Sequence, residues 1–439
     1  MYYKQTKNMS LHTVGADTHY ILPASQDAVP EAFRSNRMAK PIPCSMQTVN
    51  VPALTGTASA SGTSVLQVPC GASAGIMMNA YIRFQVAFTG GTPAAGSVIK
   101  FKGSTGSATA LLNRVSTYVN SVQVDNIQNA DQVYDQLFSH STSNDWLTHD
   151  ATQLLLSNVG IGLANAALPS SNFTVVMPLI GLLGSQQAMP LYLINGQLQI
   201  QLDWNSYTRA VWESANFASA VTGFNINNVQ LVYDRVQPEQ AFIDHVRSQM
   251  MGGQKYVFGY TNYQCTTMQS GATQTFNYGL NVSSLRGVIS NQVTTANLSS
   301  ILYADAPTGY SVNNGATQFV IQLDGRLISS LTLNSVVDPS LCFAELQKSQ
   351  GRIFDASITD PIVATVAAGS TTGGSYLTQY FAYGQSCQRV NEGLAFSGSP
   401  VSVVTMQVNC SASTATLYIV FISDFQVLID GSGSIEIVR

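Results

Sequence analysis

At 439 residues the chain exceeds one comfortable core and accommodates two domains of about 200 residues each. Charged residues make up 10% of it while apolar residues hold at 45%, a balance that excludes a disordered chain. The formal net charge is −4; with five basic and three acidic residues in the first forty, 14 basic face 20 acidic side chains in the rest, which excludes a protein that wraps nucleic acid through counterion release.

Residues 1–45 read as an arm, with scattered apolar residues, Pro23, Pro30, Pro41 and Pro43, and no sustained period. Strand patterns follow at Ser64–Pro69, at Ile76–Phe88 and at Val115–Val124. Ile127, Ala130, Val133, Tyr134 and Leu137 then recur at helical spacing, so a helix is expected between Ala130 and Phe138. From Ser141 to Asn172 the chain has the composition of a long surface loop. Strands resume at Phe173–Met177, Leu191–Trp204 and Ile226–Val236.

Residues 237–254 read as a linker between domains. Phe242, Val246 and Met250 fall on one helical stripe there, and Gly252 and Gly253 stop it. The second half offers Tyr256, Phe258 and Tyr260 in alternation, then strands at Thr273–Val282, Ser284–Thr294, Gln318–Leu323 and Ile328–Leu333. A helix is expected at Pro339–Gln347, a loop tip at Gly369–Gly374, and strands at Val401–Asn409, Thr414–Ile422 and Gln426–Ile429, with 435–439 as a C-terminal tail.

The two halves repeat a plan. Ser121–Asp125 followed by a helix matches Val320–Asp324 followed by a helix at an offset of 199, and Leu198–Asp203 matches Val404–Asn409 at 206. Each half supplies about eight strands and one helix, so the chain is expected to be all-β, with two tandem eight-stranded jelly rolls over 46–236 and 255–434 and short helices in loops and linker.

Signals for chemistry are weak. Gly71–Gly75 fits Gly-x-Ser-x-Gly, but Ile76 onward reads as a strand, whereas a nucleophile elbow requires a following helix, so a turn is the better reading. His140 and His149 with Asp145 and Asp150 match no metal-ligand spacing and read as a solvated loop, and His245 lies off the linker stripe. Asp125, Asp324, Asp338 and Asp430 sit by turns and are expected to form turns and caps. Trp204 ends an alternating strand and is assigned to the core, while Trp146 and Trp212 are the remaining tryptophans that could stack on sugars. The six cysteines, at 44, 70, 265, 342, 387 and 410, show no Cys-x-x-Cys spacing and are expected to be unpaired thiols of a soluble protein kept in a reducing compartment. No catalytic, cofactor or metal site is therefore assigned.

The strand at Asn79–Val86, the step from Val119 through Phe138, the Met189-Pro190-Leu191 lead-in to a long strand, and the Val229–Arg235 strand feeding a helical linker resemble double jelly-roll major capsid proteins, the lineage of adenovirus hexon, large algal DNA viruses, virophages and lipid-containing phages. The Leu417–Ile429 run is similar to virophage C termini. The resemblance implies a non-enzymatic major capsid protein of an icosahedral DNA virus, located in the virion. It implies a homotrimer with six rolls in a pseudohexamer, contacts with neighbouring capsomers and with penton and minor capsid proteins, an arm that reaches toward such a protein or an internal membrane, and no direct sequence-specific nucleic-acid binding. The linker stripe would then pack between rolls. The rival reading is a carbohydrate-binding β-sandwich adhesin, separable by an export signal and calcium-binding acidic loops.

Overall fold

A computed structural model describes residues 44–90, 99–141, 150–156, 172–184, 188–213, 221–301, 310–311, 313, 315–329, 332–350, 381–388, 398–410 and 415–439. The arm up to residue 43, Asp145, Trp146, His149 and the Gly369–Gly374 tip lie outside these residues.

Eight long strands build the first half: β1 (Cys44–Pro52), β2 (Thr63–Pro69), β3 (Ile76–Gly90), β4 (Leu112–Val119), β5 (Val122–Gln128), β6 (Phe173–Pro178), β7 (Gln197–Trp204) and β8 (Val221–Pro238). They form two antiparallel sheets, ordered β1-β8-β3-β6 and β2-β7-β4-β5. Each sheet interleaves early and late strands, the double Greek key of a jelly roll. The strand alternation explains the burial: in β7, Leu198, Ile200, Leu202 and Trp204 point into the core while Gln197, Gln199, Gln201 and Asp203 point away.

The second half comprises β9 (Tyr256–Gln269), β10 (Gln274–Thr294), β11 (Gln318–Leu323), β12 (Arg326–Leu327), β13 (Ala382–Ser386), β14 (Ser399–Asn409), β15 (Ala415–Ile429) and β16 (Ile435–Val438). Here β10 serves both sheets. Its first half pairs with β14, and its second half pairs with β15 and β13, with register shifts at Gly279, Val282 and Leu285. Asn281 adopts φ 51° within that irregularity, the left-handed conformation that lets one strand bend from sheet to sheet. The two layers are then β9-β15-β10-β13 and β10-β14-β11-β12, the same interleaving as in the first roll.

Several expected elements differ. Val115–Val124 is a hairpin, because Asn120 and Ser121 take φ 50° and 67° and make the two-residue turn that joins β4 to β5. The strand expected from Leu191 starts at Gln197: Leu191–Leu193 is a 3-10 turn and Gly196, at φ 122°, closes the break. The two strands expected at 273–294 are one, as are the two at 414–429. In place of the strand at Ile328–Leu333 there is the short β12 after an Asp324-Gly325 turn, with Leu333 bridging Phe319. Ile435–Val438, read as tail, pairs with Gln426–Ile429. The repeat is also re-registered: Val320–Asp324 runs along β11, the counterpart of β4 rather than of β5, and the common offset is 206 from Leu112 to Gln318 and 209 from Phe173 to Ala382.

The longer helices among the described residues are α1 (Ala130–Ser141), α2 (Gln240–Met251) and α3 (Pro339–Ser349), beside single turns at Ala151–Leu154, Tyr207–Ala210 and Thr295–Ser299. Asp338 caps α3, its Oδ1 accepting from the Leu341 amide at 2.9 Å, with proline next to it at the first helical position. Among the described residues no helix is long and apolar enough to cross a membrane. Phe319 of β11 lies fully buried and stacked on Tyr383 of β13, centroids 4.2 Å apart, where it ties the two sheets of the second roll together. Phe319→Ala is expected to lower unfolding free energy by about 3–5 kcal/mol, whereas Leu327→Ala, at a site 58% exposed, should change it by no more than about 0.5; urea unfolding of both variants checks this.

Candidate functional site

The most elaborate constellation is the seam between the two rolls. Helix α1 follows β5 and lies against β9 and β10 of the second roll; Ala130 through His140 are buried apart from the half-buried Leu137. One flank of α1 carries polar residues that a monomeric roll would show to water. Gln136 Nε2 donates to Asn291 Oδ1 at 2.8 Å, and Gln132 Nε2 donates to the Tyr310 hydroxyl at 2.7 Å. Asp131 accepts from Arg209 at both carboxylate oxygens, each 3.1 Å away, and the same guanidinium reaches Asn129 Oδ1 and lies 5.6 Å from the Tyr418 ring centroid on β15. A planar fork serves this dual task where an ammonium would not.

Two further charged groups bind the rolls. Lys102 is 1% exposed, and its Nζ donates to the Asn297 and Ser300 carbonyls at 2.8 Å and to Leu298 at 3.3 Å, closing the C-terminal end of a short helix (Thr295–Ser299) in the second roll. Burial, aided by the Arg209 charge, pulls this ammonium down to about 7. On the opposite side Asp125 accepts from the Leu182 amide and from Asn262 Nδ2 of β9, both at 2.8 Å, and the neighbouring Val124 carbonyl takes the Tyr260 hydroxyl at 2.6 Å. Burial pushes the Asp125 carboxyl up to about 6, against hydrogen bonds from Leu182, Asn126 and Asn262. Gly181, at φ 72°, leaves room for that carboxylate: a Cβ there would run into Asp125 Oδ2.

Of the linker residues, Met250 is buried, Phe242 and Val246 are half-buried, and Ile243, which the stripe did not include, is fully buried. The Gly252 amide donates to Ser248 and Gln249, and Gly253 closes the helix at φ 97°. Arg247 Nη2 donates to the Tyr192 carbonyl of the first roll at 2.6 Å, and the α2 end abuts Gly431 of the second. His245 is exposed.

Other sequence candidates disperse. Gly71–Gly75 is a turn between β2 and β3 with Ala74 donating to Gly71. His140 is buried in the last turn of α1 rather than solvated, because the helix runs past it against the second roll, while Asp150 is exposed. Asp430 does bind the amides of its own turn; Asp324 sits in a turn but accepts from the Ser402 and Val403 amides of β14, and Asp125 is interior to the seam. Trp204 is core, its Nε1 donating to Ser64, and Trp212 is buried beside Tyr310. Cys265, Cys342, Cys387 and Cys410 are buried thiols, Cys70 is half-buried and Cys44 exposed. Arg209, Lys102 and Asp131 carried no sequence signal, since periodicity marks apolar faces and their partners are distant in the chain.

No protein-family model matches this sequence, and no curated relative does. Solved structures match in fold. VP54 of PBCV-1, as fitted into a reconstruction of the virophage Sputnik, is 11% identical over 92% of this chain and 98% of its own, with a TM-score of 0.62. The Faustovirus major capsid protein is 8% identical over 97% of both chains at 0.60, and the Sputnik virophage structure is 13% identical over 91% of this chain and 89% of its own at 0.56. The chain has the double jelly-roll fold of these viral major capsid proteins.

The seam yields two tests. Arg209→Met leaves the Asp131 carboxylate buried with its ion-pair partner gone and should cost about 3 kcal/mol, much of which a second change, Asp131→Leu, restores; chemical denaturation of both variants reads this. For Asp125, the folded-state value near 6 lies above the ordinary 3.8, so the folded state holds the extra proton in that interval. Its contribution is greatest below about pH 4 and is lost as pH rises through 6. The stability of the wild type relative to Asp125→Asn should therefore improve from pH 7.5 to pH 4.5, measured by urea midpoints at each pH.

Proposed function

We propose that this chain is the major capsid subunit of an icosahedral DNA virus, a non-enzymatic building block located in the virion. The observation that carries the reading is whole-chain likeness: both rolls and the linker align with VP54 over 92% of this chain and 98% of the other. Fold alone does not dictate function, and here the support comes from the pairing of rolls as well as from each roll. A jelly roll used singly needs no companion, whereas this chain locks two together through a buried polar seam.

Three such protomers, each a rigid pair, place six rolls around a threefold axis and make a pseudohexameric block that tiles a lattice. A neutral, Ser/Thr/Asn-rich surface suits that use, because flanks with few charges pair without desolvating ions. In this assembly α2 is the strut between rolls, with Phe242, Ile243, Val246 and Met250 inward. The arm that precedes β1 reaches below the lattice toward a minor capsid protein or a membrane, and neighbouring capsomers and penton proteins complete the shell.

Light scattering on the purified protein tests this. The expected mass is three times 46.9 kDa, with hexagonal outlines in negative stain; a monomer at every concentration that permits assembly would contradict it. Removal of residues 1–40 should leave that mass intact while shell formation falls.

A further inference from the structure

The two rolls are alike in topology but unequal in what covers them. In the second roll the centre of the sheet β9-β15-β10-β13 is buried on both faces: Gly287–Val293 of β10 and Leu417–Ser423 of β15 are buried at every position. Its outer face is covered by α1 of the first roll through Gln132 and Gln136, joined by the Arg209 guanidinium, and by the second roll's own α3, whose Leu346 and Ser349 sit on Gly384 and Gly287. In the first roll the equivalent sheet β1-β8-β3-β6 carries no long helix on its outer face among the described residues; only the single turn Ala151–Leu154 packs on β6, with Leu154 at the edge of the face. Register sets two rows of side chains on its outer face, Asn50-Val232-Tyr81-Pro178 and Pro52-Gln230-Arg83-Val176. All of these but Pro52 and Gln230, together with Thr48 and Leu154, line an open groove of about 790 Å³ with apolar walls from Tyr81, Val176, Val232 and Leu154. Val232 is buried yet lies outside the main core cluster, as an outer-face residue shielded only by its neighbours would.

The helices show the reciprocal inequality. Helix α3 holds the same place in the second roll as α1 in the first, after the β12 counterpart of β5 and before the β13 counterpart of β6. Only Cys342, Leu346 and Ser349 of α3 are buried. Just before it, Val336 and Val337 are 58% and 79% exposed, held outward by Asn334 Oδ1, which accepts both of their amides at 3.0 and 3.1 Å. Asp338, also exposed, follows them, while Arg83 in the groove makes no ion pair among the described residues.

We infer that the outer face of β1-β8-β3-β6 is the docking surface for the Val336-Val337 shoulder and α3 of a second copy of this chain. The contact repeats between copies what α1 makes within one, with roll 2 of one copy over roll 1 of the next. The occupant follows from three features: an internal template for the contact, an apolar shoulder matching an apolar groove, and an acidic residue beside the shoulder for the arginine in the groove. A head-to-tail contact of this kind is heterologous and closes only as a ring. The inference rests on the trimer reading above and adds the surfaces that build it.

The test uses two versions of the full chain, both carrying Cys44→Ser, one with Asn50→Cys and the other with Val337→Cys, under different affinity tags. After co-assembly and mild oxidation, disulfide-linked pairs should join the two tags. Separately, Val337→Arg should abolish the trimer peak while the thermal midpoint stays at the wild-type value, and adding Arg83→Glu should recover it. A wild-type trimer that survives Val337→Arg, or pairs that join only like tags, overturns the assigned surfaces while leaving the trimer reading standing. A wild-type monomer overturns both.

Discussion

A buried polar seam is the constraint on which the rest of this structure depends. Gln132, Gln136, Asn291 and Tyr310 are at most 3% exposed, and their hydrogen bonds run from one roll to the other. An apolar contact between two β-sandwiches would tolerate sliding, since dispersion is non-directional. Amide-to-amide and ammonium-to-carbonyl contacts, such as Gln136 to Asn291 and Lys102 to Asn297, do not, because a shift of one residue leaves buried donors without acceptors. The seam thereby fixes the angle between the rolls. That angle, repeated through copies, sets the geometry of any ring the chain forms.

The same seam explains why the rolls have diverged in burial while keeping topology. Once α1 is committed to the second roll, the centre of the outer face of β9-β15-β10-β13 becomes interior, and Gly287–Val293 and Leu417–Ser423 cease to alternate in exposure. The first roll keeps its alternation, with Ile82 and Phe84 inward and Arg83 exposed between them. A duplicated unit thus has one internal partner contact and one left over at each end, which is the condition for building a closed ring from a single chain.

Much of the architecture was legible in the sequence for a physical reason: strands buried on one face alternate. Ile76–Gly90, Gln318–Leu323 and Ser399–Asn409 lie within a few residues of where alternation put them, and α3 lies where Asp338-Pro339 announces a cap. Where backbone conformation rather than side-chain pattern decides, reading failed. Asn120-Ser121 turns without a glycine to mark it, and β10 continues through Ser283 where a break was expected. The seam was the least legible feature. Asp125 looked like a turn residue because acidic residues at strand ends often are, and nothing in Val124-Asp125-Asn126 reveals that Asn262 waits across the interface. The linker stripe named Phe242, Val246 and Met250 but missed Ile243, which a helix of 3.6 residues per turn places on the same side as Met250.

The most direct measurement of the central claim is an image of the oligomer by electron cryomicroscopy at a resolution that separates helices. The account predicts six roll-shaped densities about a threefold axis, with α3 of each copy lying over the β1-β8-β3-β6 sheet of its neighbour. A twofold assembly, or a threefold one in which that sheet faces solvent, would contradict it.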